Sequence, residues 1–174
     1  MCSSDLFVMA PFNTRVVRRS NALLGWAYGR GFRYRELIRV GRGRFAAAGA
    51  WAMAGGLRAA TGALAFGPAR AVARRLLPEA GSGPSERTRR TGSFRVEVTT
   101  RTTTGRRYVA TVAASGDPGY AATSVMVGQA ALALALDRDR LPERAGVLTP
   151  ATGIGLPLVD RLRGAGMTVD VRPA

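Results

Sequence analysis

The chain has 174 residues, 47% of them apolar, and a formal net charge of +15. That is long enough for one domain with its own core, and too apolar for wholesale disorder. All 26 basic residues are arginine, histidine is absent and Cys2 is the single cysteine, which excludes an internal disulfide, a Cys/His zinc site and histidine-based catalytic triads.

Met1 to Pro11 lacks the basic start and long apolar run of a signal peptide. Residues 1–6 read as a leader unrelated to the rest of the chain, and Phe7 to Ala10 as the stub of a strand already under way. Asn13 or Thr14 can cap a helix that runs to about Leu24 and closes at Gly25. Arg33 to Val40 alternates and predicts a strand, followed by a turn at Gly41–Gly43. Arg44 to Phe66 predicts a long Ala/Gly-rich apolar helix interrupted by Arg58, and Gly67-Pro68 restarts a shorter one to Leu77. Residues 44–77 thus form an apolar helical insert, and residues 78–92, rich in Pro, Gly, Ser and charge, a linker.

The strongest local signal comes next. Phe94, Val96 and Val98 alternate with Arg95, Glu97 and Thr99, a Thr104-Gly105 turn comes after them, and Tyr108 to Ala114 returns as a second strand. Asp117-Pro118 predicts the cap and first residue of a helix to about Leu136. Its apolar character on nearly every side marks it as central and buried. Thr149-Pro150 repeats that device for a helix ending near Gly164–Gly166, weakened early by Gly153, Gly155 and Pro157. Met167 to Val171 closes as a strand. Strands and helices mix without a βαβ rhythm, so the fold class is α+β, with an antiparallel or mixed sheet packed by helices.

Four stretches carry candidate chemistry. Gly41-Arg42-Gly43-Arg44-Phe45-Ala46 fits a dinucleotide fingerprint, but no acidic residue lies between Glu36 and Glu79 to hold a ribose hydroxyl, and a plain strand-to-helix turn explains it as well. Arg15, Arg18 and Arg19, spaced three and four apart, are either a solvated face or an anion clamp. Asp117 and Gly119 suit a capped turn, and Tyr120 on the same turn either packs or donates a hydrogen bond to a substrate carbonyl. The 44–66 helix is a core helix, or one that lies on a membrane with Trp51, Phe45 and Phe66 as anchors; Arg58 near its middle opposes a true span. The positive field favours phosphate-bearing ligands, anionic headgroups or nucleic acid. Scattered arginines and 7% aromatic residues argue against nucleic acid as the main partner.

The segments Asn13–Gly29, Phe32–Glu36, Gly116–Tyr120 with its following Ala-rich helix, Ala133–Ala151 and the terminal RLRGAGMTVDV occur in an order that resembles the C-terminal part of a saccharopine-dehydrogenase-like oxidoreductase, closest to the actinobacterial trans-acting enoyl reductases. That family begins with a Rossmann domain holding NAD or NADP, followed by an α+β domain whose sheet forms a dimer or cleft surface. Nothing here matches the opening strand and glycine loop. The resemblance therefore implies that residues 13–174 are the substrate and dimerisation domain of a parent whose N-terminal Rossmann domain is missing. It implies that this chain binds no cofactor and is inactive alone. In the parent it implies hydride transfer to an unsaturated acyl or imine-like substrate, on the enoyl branch an acyl chain of polyketide, lipid or glycolipid synthesis. Arg15, Arg18, Asp117, Gly119 and Tyr120 would bind that substrate. The protein would be cytoplasmic, a candidate homodimer, and peripheral to the inner face of the plasma membrane. The stretch Gly153–Pro157 departs from the family's more regular helix and implies a distortion there. A different class, a non-catalytic basic module for membranes or nucleic acid, fits the charge alone.

Overall fold

The computed structural model describes residues 9–37, 46–63, 65–68, 83 and 85–174. The chain divides into two units, residues 1–83 and 84–174, each with its own packing.

In the first unit, α1 spans Ala10–Leu23. It starts three residues before the expected Asn13 cap, and Ala10, read as strand, is helical. The reason is Pro11, whose fixed φ and missing N–H suit a first turn. Asn13 is left to donate its amide to Glu36 Oε2 at 3.1 Å. The helix ends in a left-handed Gly25, φ +66°, as the Leu24-Gly25 pair predicts. Arg33–Leu37 forms no strand, contrary to the alternation there; the remainder of that prediction, 38–40, lies outside the described residues. The segment is tied down by side chains instead: Glu36 takes the Asn13 amide on one oxygen and the Tyr34 hydroxyl on the other, at 2.5 Å. Burial, then that hydrogen bond and the Glu36 charge, push the Tyr34 phenol up to about 12. The Ala/Gly-rich helix is present as α2, Ala46–Ala63. Phe7-Val8, the Gly41–Phe45 turn and the helix expected over 69–77 lie outside the described residues.

The second unit opens with a short helix, α3 (Glu86–Thr91), inside the stretch read as linker. Glu86 sits in its first turn, where the helix dipole favours an anion, and the Thr91 hydroxyl donates back to the Arg87 carbonyl at 2.9 Å. Then comes the predicted hairpin. β1 (Ser93–Arg101) pairs antiparallel with β2 (Arg107–Ser115), Phe94 opposite Ala114 and Val98 opposite Ala110. Gly105 takes the left-handed turn position, φ +84°. β3 (Thr168–Pro173) pairs antiparallel with β2, giving the order β1-β2-β3. Alternation therefore collects Phe94, Val96, Val98, Val112 and Val171 on one face.

α4 spans Ala121–Leu136 and packs against α6 (Leu156–Gly164), which also meets β3. Between them, α5 (Pro150–Gly153) starts as predicted, with Thr149 as its cap and Pro150 at its first position. The Thr149 backbone N–H donates to the Thr152 hydroxyl at 3.0 Å. The expected single helix is split in two: Gly155 adopts φ +69° and α6 restarts behind it with Pro157 in its first turn. α4 departs most from expectation. Its buried positions are Ala122 and Ala133, whereas Val127, Leu134 and Leu136 are 53–69% exposed. Apolar composition all round did not bring burial all round, because α6 covers one side.

Asp137 ends α4 and holds it to α6 by accepting from Arg161 Nε at 2.5 Å and Nη2 at 2.9 Å. That paired hydrogen bond, helped by the charges of Arg161 and Arg140, holds the carboxyl below its ordinary value against the opposing effect of burial. A depressed carboxylate contributes stability above its ordinary pKa of about 4 and loses it as pH falls through the lower folded value. Arg161→Leu should therefore lower the melting temperature most at neutral pH, with the gap to the unsubstituted chain closing in acid. A thermal melt at several pH values checks it; a gap that stays constant to the acid limit would deny the pair that role.

Candidate functional site

The expected substrate-binding residues fall in both units. Asp117, Gly119 and Tyr120 lie where β2 hands over to α4. Gly116, φ +93°, turns the chain there, and its N–H donates to the Gly92 carbonyl at 2.7 Å, pinning the turn to the start of β1. The Asp117 carboxylate, 7% exposed, accepts three backbone N–H groups: Gly119 and Tyr120 on Oδ2, at 3.1 and 3.0 Å, and Ala121 on Oδ1, at 3.2 Å. The predicted cap position does not hold: the helix begins at Ala121 with Tyr120 at its N-cap, and Asp117 instead closes the turn that leads into it. Gly119 is small for a reason: a Cβ there would stand 3.2 Å from Asp117 Oδ2. The Thr123 hydroxyl closes the turn by donating to the Pro118 carbonyl.

Asp117 is thus committed to the backbone, and Gly119 makes room for it. Tyr120 is different. It is 55% exposed, and among the described residues nothing bonds its hydroxyl. A phenol held at the mouth of a rigid turn is available to donate to an incoming carbonyl.

Arg15 and Arg18 project from α1 and are exposed, with no described residue pairing either guanidinium. They keep the forked donor geometry that suits a phosphate or carboxylate.

The loop after α1 carries contacts that sequence reasoning missed. Asn21, 3% exposed, donates its amide to the Gly29 carbonyl at 3.0 Å and accepts the Tyr28 N–H at 2.8 Å, while its own carbonyl accepts the Trp26 N–H at 2.8 Å. This clamp holds Trp26 at φ +65°, a conformation that costs an L-residue about 1–2 kcal/mol and persists only where neighbours impose it. Arg30 stacks over the indole at 5.2 Å from its centroid, and Tyr28 meets Phe32 at 5.4 Å. The one available signal was an asparagine in the last turn of a helix ahead of Gly25, in an otherwise apolar run.

Among the described residues no group of acidic, cysteine or histidine side chains could hold a metal. The Gly116–Tyr120 turn does not offer a pyrophosphate cradle. A pyrophosphate needs free N–H groups where a strand turns into a helix. The one described glycine-containing turn of that kind, Gly116–Tyr120, spends those groups on its own carboxylate. Among the described residues no helix is long and apolar enough to cross a membrane.

The chain is 50% identical over 171 residues to a Mycobacterium tuberculosis protein provisionally named a trans-acting enoyl reductase. It is 50% identical over 167 residues to the trans-acting enoyl reductase of Mycobacterium ulcerans. A second Mycobacterium tuberculosis protein named trans-acting enoyl reductase is 48% identical over 170 residues. Each match covers 94% of this chain and 40% of the relative, so the chain spans well under half the length of the curated proteins it matches. No protein-family model matches the chain, and no solved structure gives a significant match.

Proposed function

We propose that this chain is the substrate-binding portion of a nicotinamide-dependent enoyl reductase that acts in trans on an unsaturated acyl chain in lipid or polyketide synthesis. The observation that carries the reading is half-identity along nearly the whole chain to proteins bearing that name. In this reading the dinucleotide, NADP or NAD, is held by a Rossmann domain of the saccharopine-dehydrogenase-like kind, preceding these residues in the parent. The Asp117 turn supports the division of labour, because its N–H groups are already occupied. The outward valines and leucines of α4 and the half-bare valine face of the sheet support it too, as exposed large apolar side chains grouped on an element suit an interaction site.

Within this portion Tyr120 is the residue we assign to the acyl carbonyl, with the Asp117 carboxylate holding its backbone and Gly119 admitting that carboxylate. Arg15 and Arg18 offer an anion clamp for a charged group on the substrate or its carrier.

The test is NADPH oxidation with a 2,3-unsaturated acyl thioester. The longer parent should turn over, the 174-residue chain alone should not, and Tyr120→Phe in the parent should slow turnover by about a hundredfold while leaving it folded. Turnover by this chain alone would sink the reading. So would tight, saturable NADPH binding to it that is lost on Gly43→Val.

A further inference from the structure

The first unit displays an apolar stripe and an aromatic loop that the reductase reading leaves unused. α1 turns Ser20 and Asn21 inward and leaves Phe12 and Val16 outward, and with Met9 at its N-cap these are 46–60% exposed and spaced three and four apart. Three large apolar side chains along one helical stripe are not the usual solvent face. Past the helix end, the loop held by Asn21 presents Trp26 and Tyr28, 42% and 45% exposed. Charge completes the pattern: the loop carries Arg30, Arg33 and Arg35, and no Asp or Glu lies anywhere from Met9 to Arg35.

We propose that α1 and the loop Gly25–Arg35 form a docking surface for an anionic lipid bilayer. A basic helix with an apolar stripe settles in the plane of the headgroups, the stripe sinking toward the acyl chains and the guanidinium groups resting among phosphates. Trp and Tyr are the side chains that settle at that boundary, because each joins an apolar ring to a polar tip. The loop is already held in one conformation, so little ordering is left to be done on docking. Nucleic acid fits the same surface less well. Bound bases would stack on open aromatic faces, but Arg30 already lies over Trp26 and Phe32 against Tyr28, and the aliphatic stripe has no counterpart on a nucleic acid. Docking of this kind does not rest on the reductase reading: Arg15 and Arg18 lie on the same helix, and the test substitutes neither of them nor Tyr120.

The experiment is co-sedimentation of the full chain with vesicles of phosphatidylcholine alone or mixed with phosphatidylglycerol. Binding should appear with the anionic lipid and fall steeply with salt, as screening shortens the reach of the charges to about 10 Å at 0.1 M. Phe12→Ser with Val16→Ser, which leaves every charge in place, should weaken it about tenfold. Arg30→Gln and Arg33→Gln should each cost about fivefold. Should the serine variant misfold by circular dichroism, Trp26 still decides. Of the two tryptophans, Trp51→Phe removes the other, and Trp26 emission should then shift to the blue on anionic vesicles and be quenched by brominated acyl chains. Equal binding to neutral vesicles, full binding by a folded serine variant, or an unmoved Trp26 emission would each overturn the proposal. So would single-stranded oligonucleotide displacing the vesicles.

Discussion

Asp117→Ala should lower the unfolding free energy by about 2 kcal/mol, comparable with the upper end of what losing a helix cap costs, although Asp117 closes the turn ahead of the helix and is not its N-cap. The figure is high because three N–H groups share this carboxylate, which lies at 7% exposure where water replaces it poorly. Ala122 N–H still reaches the Asp117 carbonyl at 3.0 Å, so the first turn frays without losing its anchor. Asp117→Asn should cost about half as much: one oxygen remains for Gly119 and Tyr120, but the negative charge at the helix N-terminus goes. Urea titration of the full chain gives both numbers. A loss under about 0.5 kcal/mol for the alanine variant would mean that the turn carries little, and would return the carboxylate to the groups free to meet a ligand.

The contrast between that turn and the rest of the candidate surface shows what a single sequence discloses. Asp117 acts within four residues of itself, so its role can be read from local spacing; the same holds for Thr149-Pro150 and for the hairpin, where alternation and the Thr104-Gly105 turn suffice. Local spacing misplaces the start of α1 because two signals compete there, and the fixed φ of Pro11 outweighs the side chain of Asn13. Arg33–Leu37 alternates as a strand would, yet Tyr34 and Glu36 engage each other and Asn13, 23 residues from Glu36. Contacts at that separation leave no periodic trace. Asn21 escapes notice for the same reason: a polar residue in an apolar run shows that something must satisfy it, but not that Tyr28 and Gly29 do so. The exposure of α4 is illegible on other grounds. Composition tells which side chains would gain from burial, and only tertiary packing tells which of them a neighbour covers.

Ala133→Leu tests that last point, and should destabilise the chain by about 1–3 kcal/mol. Ala133 is fully enclosed, 0% exposed, and Ala122 lies three turns earlier on the same side, at 2%. Ala122 and Ala133 mark the covered side of α4, and α6, the helix it packs against, buries Pro157 and Leu162. Three extra carbon atoms there must force the helices apart or push a side chain off its rotamer, since interiors packed to crystal density hold no spare volume of that size. Leu134, the next residue, is 53% exposed, and Leu134→Asn should change the stability of this chain by no more than about 0.5 kcal/mol. Denaturant unfolding of the two variants measures the asymmetry. Equal costs would mean that α4 is covered on both sides in solution. In the longer parent proposed above the pair should behave differently: if a further domain packs on the outer face, Leu134→Asn rises to about 2 kcal/mol, the worth of a leucine taken out of water, while Ala133→Leu keeps its value.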